Sequence, residues 1–310
     1  MLRIKAIGVF TVLALGLAAS TADAATTWPG GSATKVADGT NVFGTNLSGV
    51  SFESPDVVWA VKNGPSTLYR LVPGGDGTWK VDQKRSLRFP AGQGDPDTEG
   101  VVFTPNGLFV AVERDNDDSD VSTPKILKLG AGSTAAAEWD LGGMPEVDPN
   151  DGPEAISWVP DSFLTRNGFQ DSAGRTYDPA DYPGHGSGLF FVGLEATGEV
   201  YVYALQGTSA TLLTKFASGH RQVMDLEFDG GKLWAICDDN CAGRTTTLAI
   251  SGGKFKVTAT YDRPAKLPNV NLEGFAISPS CVNGKKAVLW ADDDNTSRHA
   301  LRSGTLNCTV

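Results

Sequence analysis

Three features of the sequence predict an all-β chain folded as a five-bladed β-propeller closed by an N-terminal strand. A phrase recurs five times, large apolar residues lie two apart inside each copy, and the copies are nearly evenly spaced. The phrase reads NLSGVSF at Asn46 to Phe52, DTEGVVF at Asp97 to Phe103, GPEAISW at Gly152 to Trp158, VMDLEF at Val223 to Phe228 and NLEGFAI at Asn271 to Ile277. The apolar pairs are Val50 and Phe52, Val101 and Phe103, Ile156 and Trp158, Leu226 and Phe228, Phe275 and Ile277. Period two marks a strand. Successive copies stand about 50 residues apart, close to the length of a propeller blade. One longer step, Ile156 to Leu226, contains a polar, Pro- and Gly-rich insert from Asp161 to Gly186.

Each copy is the first, innermost strand of a blade. A small residue at one register position (Gly49, Gly100, Ala155, Gly274) suits a strand crowded by other backbones near the ring axis, and the fourth copy has Asp225 there instead. Blade one continues with Val57–Val61, Thr67–Val72 and Thr78–Phe89, separated by Gly, Pro and Asn turns. Blade two continues with Leu108–Glu113, Lys125–Leu129 and Ala135–Leu141, and blade three with Leu189–Leu194, Glu199–Leu205 and Thr211–Phe216. Blade four has Lys232–Cys237, Thr246–Ile250 and Lys254–Tyr261. Blade five has only Lys285–Trp290 and His299–Leu306 after its inner strand, so Ala33–Ala37 is expected to supply its outer strand and leave no open edge. Six blades and a β-sandwich are the alternatives. No stretch reads as an amphipathic helix.

Met1 to Ala24 carries Arg3 and Lys5, an apolar run from Ala6 to Ala19, and the small-x-small sequence Ala22-Asp23-Ala24. That is the form of a secretory signal peptide, so an exported, secreted product beginning near Ala25 is expected, with residues 25–310 as one propeller domain and a monomer. No later run is long and apolar enough to span a membrane. A formal charge of −10 disfavours nucleic acid and anionic membrane as partners. Four cysteines in an exported chain read as disulfides. Cys237 and Cys241 bracket a tight CDDNC loop, and pairing of the last two strands brings Cys308 beside Cys281.

In a meander, the start of the first strand and the loop between the second and third lie at the same end. Glu99, Glu154 and Glu273 therefore converge in one register at the channel entrance, with Ser48 in blade one and Met224 beside Asp225 in blade four. Clustered carboxylates repel unless a cation neutralises them, and an all-oxygen set suits Ca2+. The expected metal set is Ser48, Glu99, Glu154, Asp225 and Glu273; the bland reading is that each acid bonds to neighbouring backbone. Lys62, Arg114, Arg244 and Arg298 sit in the same loops and could receive a small anionic ligand or substrate, or be ordinary solvated charges. His220 and Arg221 precede the inner strand of blade four, and Asp238 begins its mouth loop. His220 is the candidate for proton transfer because an unperturbed imidazole titrates near neutrality.

Other signals are weaker. Asp115, Asp117 and Ser119 alternate like the start of a calcium loop but lack its glycine and distal glutamate. His185-Gly186-Ser187-Gly188 lacks the frame of a nucleophile elbow. Three histidines, with the cysteines oxidised, disfavour zinc.

The repeated phrase, with LWAICDDN at Leu233 to Asn240 and VLWADDDN at Val288 to Asn295, resembles exported bacterial propellers of the SdiA-regulated and phytase-like esterase group. The order of Ser48, Glu99, Glu154 and Glu273 is also similar to the central calcium ring of calcium-activated nucleotidases (apyrases), where the metal holds a nucleotide phosphate. The chain departs from that pattern at Met224. The motifs specify the architecture better than the reaction. The enzyme reading, from the acidic ring and its neighbouring bases, is a calcium-assisted hydrolase of an anionic small molecule, a phosphate ester or acidic sugar, with Arg221, Arg244 or Arg298 clamping charge. The alternative is a propeller that binds a ligand or protein without reaction.

Overall fold

A computed structural model describes residues 25–310; the segment read as a signal peptide, residues 1–24, lies outside the described residues. Five four-stranded antiparallel sheets form the five blades. Blade one comprises β2 (Leu47–Ser54), β3 (Val57–Lys62), β4 (Thr67–Pro73) and β5 (Trp79–Ser86). Blade two comprises β6 (Pro96–Thr104), β7 (Gly107–Asp115), β8 (Ser122–Leu129) and β9 (Ala135–Asp140). Blade three comprises β10 (Pro153–Pro160), β11 (Gly188–Leu194), β12 (Glu199–Gln206) and β13 (Ser209–Ala217). Blade four comprises β14 (Asp225–Asp229), β15 (Lys232–Ile236), β16 (Thr245–Ser251) and β17 (Lys254–Tyr261). Blade five comprises β18 (Leu272–Ile277), β19 (Lys285–Asp292), β20 (Leu301–Asn307) and, from the other end of the chain, β1 (Lys35–Val36).

The expected closure is present: β1 pairs antiparallel with β20, Lys35 opposite Ser303 and Val36 opposite Arg302. Trp28 seals the same seam. Its ring packs edge-on against Trp290 with centroids 5.6 Å apart, and its Nε1 donates to the Thr305 carbonyl at 2.8 Å. Burying such a ring contributes on the order of 3 kcal/mol, so a two-residue strand is enough to shut the ring.

The small residues of the inner strands have a steric cause. A Cβ on Gly49 would lie 2.6 Å from the Glu99 carbonyl, one on Gly100 would lie 2.8 Å from the Ile156 nitrogen, and one on Gly274 would lie 2.3 Å from the Ser48 carbonyl. Each inner strand thus presses on the next around the axis. Asp225 departs from the rule by bonding across that gap: its carboxylate accepts from the Phe275 N–H at 2.6 Å and the Leu226 N–H at 2.7 Å.

The insert of blade three contains the six-residue helix α1 (Asp161–Arg166), too short to leave a periodic signal, which buries Leu164. Phe169 and Tyr177 continue that packing. The Tyr177 hydroxyl donates to Asp161 Oδ1 at 2.7 Å, and His185 Nε2 lies 3.1 Å from Asp161 Oδ2. His185 therefore pins the insert. Asp115 is likewise spent locally, accepting from the Asp95 and Asp117 N–H groups at 2.8 and 3.0 Å. Cys237–Cys241 and Cys281–Cys308 are disulfides, as expected, and suit an oxidising compartment. No helix among the described residues is long and apolar enough to cross a membrane.

Candidate functional site

Four ring residues share one backbone device. The ladder slips between Leu47 and Val50, between Thr98 and Val101, between Pro153 and Ala155, and between Leu272 and Gly274. Ser48, Glu99, Glu154 and Glu273 sit on these irregularities, and a bulge re-aims the side chain it carries. Blade four pairs without a slip from Asp225 opposite Ile236 onward.

The result is a tight carboxylate cluster. One oxygen from each of Glu99, Glu154 and Glu273 lies within 4.8 Å of the others. Glu99 accepts from Asn63 Nδ2 at 3.1 and 3.3 Å, and Glu273 Oε1 accepts from Asn271 Nδ2 at 2.9 Å. The Oε2 atoms of Glu154 and Glu273 are buried with no hydrogen-bond partner among the described residues. Burial pushes all three carboxyls well above the usual carboxylate range, and neighbouring acids add to the effect. Ser48 does not present its hydroxyl to the cluster as an unshared ligand: Oγ donates to the Glu99 carbonyl at 2.7 Å. Asp225 is also pushed up by burial while held by backbone N–H groups of Phe275 and Leu226. That is the bland reading of an acid, bonded to backbone, and it takes Asp225 out of the cluster.

Two further glutamates extend the set. Glu113, at the end of β7, and Glu195, after β11, each offer an oxygen within 4.8 Å of one on Glu154 and of each other. Glu113 accepts from the Gly152 N–H at 2.8 Å, and burial pushes its carboxyl up to about 7. Glu195 accepts from Gln222 Nε2 at 2.8 Å and is pushed up to about 7, by burial first and then by Asp151. Glu113 and Glu195 begin mouth loops in the sequence but are not among the expected metal ligands. The available signal was an acid closing the second strand of several blades: Glu113, Glu195, Asp238 and Asp293.

Above the cluster opens a cavity of about 360 Å³. Its wall adds Glu195, Asp238, Asp239 and Asp294 to the three ring glutamates, together with the amides of Asn63, Asn150, Asn240 and Asn271 and the side chain of Met224. Among the described residues, no lysine or arginine lines it. Lys62 donates to the Phe43 carbonyl at 3.3 Å, Arg114 binds Asp97 at 2.7 Å, Arg244 binds Asp262 at 3.2 Å, and Arg298 is exposed. The four candidate anion receivers stand outside the cavity.

Of His220, Arg221 and Asp238, the three residues of blade four expected to carry catalysis, only Asp238 reaches the cavity, its carboxylate accepting from the Asn240 backbone and side chain at 3.0 and 2.9 Å. Arg221 is exposed on the surface. His220 Nε2 donates to the Ala235 carbonyl at 3.1 Å, and burial lowers its imidazole to about 4. The expectation of a near-neutral proton carrier at the mouth is corrected on both counts: the ring lies off the cavity, and desolvation keeps it uncharged.

No family model matches the chain, and no curated protein matches it. Among solved structures it is similar to the glutaminyl cyclase of Myxococcus xanthus, at 11% identity over 88% of this chain and 95% of that chain, with a TM-score of 0.52. It is more loosely similar to a candidate 6-phosphogluconolactonase of Bacteroides uniformis, at 16% identity over 79% of this chain and 63% of that one, TM-score 0.39. A nidogen/laminin complex gives 13% identity, 83% of both chains and a TM-score of 0.40. The first likeness, with five sheets closed in a ring, shows that the chain has the β-propeller fold.

Proposed function

We propose that the chain is an exported propeller whose mouth binds one divalent cation, Ca2+ by its donor set, on Glu99, Glu154 and Glu273. Two observations carry this reading: one oxygen each of Glu99, Glu154 and Glu273 lie within 4.8 Å of one another, and Glu154 and Glu273 each keep a buried oxygen with no hydrogen-bond partner among the described residues. An unpaired buried polar atom is costly, and a hard cation with oxygen ligands relieves it. Asn63 and Asn271 orient the outer carboxylates toward the same point.

The cation would also reconcile the cavity with an anionic partner. A wall of acids and amides with no base repels an anion, so a phosphate ester or acidic sugar can enter only after the carboxylates are neutralised. Bound calcium would supply positive charge to an oxygen of such a ligand. In the hydrolase reading, Glu195, fixed by Gln222, and Asp238, fixed by Asn240, are the groups placed to move a proton, and the amides of Asn150 and Asn240 donate to the ligand. The order of Ser48, Glu99, Glu154 and Glu273, similar to the calcium ring of calcium-activated nucleotidases, supports this reading by position.

Calorimetric titration with Ca2+ tests the site. One ion per chain is expected, with binding weakened at least about a hundredfold in Glu154→Gln. Absence of heat, together with a melting temperature unmoved by chelator and by millimolar calcium, would refute it. Turnover of phosphate esters and uronic-acid sugars, with and without calcium, separates hydrolase from binding protein; loss of turnover in Glu195→Gln with calcium affinity kept is the outcome expected of the enzyme.

A further inference from the structure

Behind the mouth loop of blade four lies a second donor set, of different chemistry from the carboxylate ring. An imidazole nitrogen of His220 and the sulfurs of Cys237 and Cys241 lie within 4.8 Å of one another. His220 Nε2 is committed to the Ala235 carbonyl, which fixes the tautomer and leaves Nδ1 with the free lone pair. A histidine that ligates a metal is commonly held in this way, its other nitrogen donating to a backbone carbonyl. Cys237 and Cys241 are separated by three residues, inside the Cys-x2–4-Cys spacing of zinc sites. Asp238 Oδ1 lies 3.5 Å from Cys237 Sγ and brings a carboxylate to the same corner.

As a disulfide, the two sulfurs hold no metal. Three histidines and oxidised cysteines disfavour zinc in the chain as a whole, but one of those histidines stands beside the two sulfurs, and reduction would free both. We propose that reduction of the Cys237–Cys241 disulfide creates a zinc site in which His220 and the two thiolates are ligands and Asp238 is the fourth donor. A dithiol reductant supplies two electrons and two protons and becomes a disulfide itself, while the S–S bond opens to two thiols. Zinc then displaces both thiol protons to solvent as two Zn–S bonds form. Soft sulfur ligands select zinc here, whereas the all-oxygen ring does not. The two cysteines enclose Asp238, Asp239 and Asn240, which wall the central cavity, so the redox state of this loop and the shape of the mouth are one variable.

The test uses Co2+ as a spectroscopic stand-in for zinc, and does not depend on calcium. The Cys281→Ser/Cys308→Ser protein, and the wild type beside it, are reduced with dithiothreitol, desalted under argon and titrated with Co2+. One equivalent should give a thiolate-to-cobalt charge-transfer band and intense tetrahedral visible bands, both erased by one equivalent of Zn2+. The unreduced protein should show neither. Cys237→Ser/Cys241→Ser should lose the charge-transfer band, and His220→Ala, which removes a ligand itself, should bind at least about a hundredfold more weakly, the upper end of what loss of an outer-shell partner costs, each with circular dichroism confirming the strand fold. A reduced, folded wild type without the band, or a band undiminished in Cys237→Ser/Cys241→Ser, overturns the proposal.

Discussion

The ring glutamates and the loop bases occupy the same mouth by topology, yet they end in opposite situations. Glu99, Glu154 and Glu273 sit on bulges of inner strands whose backbones touch one another, and their carboxylates have nowhere to turn except the axis. Lys62, Arg114, Arg244 and Arg298 sit at strand ends or in loops on long stems, and three of them bend to a nearby carbonyl or acid. Short side chains on a crowded strand are aimed by the backbone; long side chains are aimed by whichever partner lies within reach. Shared location at one end of a blade therefore predicts convergence for the first group and not for the second.

The sharpest way to break this comparison is to disturb the crowding. Gly274→Ala places a Cβ 2.3 Å from the Ser48 carbonyl, and should cost about 3 kcal/mol or more in urea denaturation while also weakening cation binding through Glu273. Gly75→Ala, in a turn with nothing within 4 Å, should stay within about 0.5 kcal/mol.

The carboxylate side predicts a pH dependence. Glu113 has a carboxyl pushed up to about 7 in the folded state, against an ordinary value of about 4.5. Between those values the folded chain binds more protons than the unfolded one. The contribution to stability is fully present below about pH 4.5 and is lost as pH rises to about 7, by up to about 3 kcal/mol. Denaturant midpoints of the chelated protein across that window should fall with rising pH, and Glu113→Gln should flatten the slope.

The bases should matter less, and in order of burial. Arg114→Ala leaves the nearly buried Asp97 without its 2.7 Å partner, and a loss of about 2 kcal/mol is expected. Arg244→Ala removes an exposed pair with Asp262 and should change the midpoint by less than about 0.5 kcal/mol. Calcium affinity within twofold of wild type in Arg244→Ala would agree with a base outside the cavity; a marked change would place it back at the site.

The two disulfides make the same point about length and use. Cys281–Cys308 closes a span of 27 residues, worth about 3.5 kcal/mol of unfolded-state entropy, whereas Cys237–Cys241 spans 4, worth about 2. The long one ties the end of the chain into blade five. The short one shapes three residues of the cavity wall.

The sequence by itself pointed to the ring: a period-two phrase repeated five times at near-even spacing predicts five blades, and the pairing of β1 with β20 bears out the closure expected from the N-terminal segment. It also placed Glu99, Glu154 and Glu273 together, because equal register in equal blades means equal height along one axis. What it could not contain was the direction of individual side chains. Bulges at four of five inner strands, and a regular ladder at Asp225, differ by a slip of hydrogen bonding that has no letter of its own. The carbonyl that holds His220, and the acids that claim Arg114 and Arg244, belong to residues 15 to 18 positions away brought alongside by pairing. Such contacts are properties of the packed molecule, since burial and reach are set only when neighbouring strands are in place.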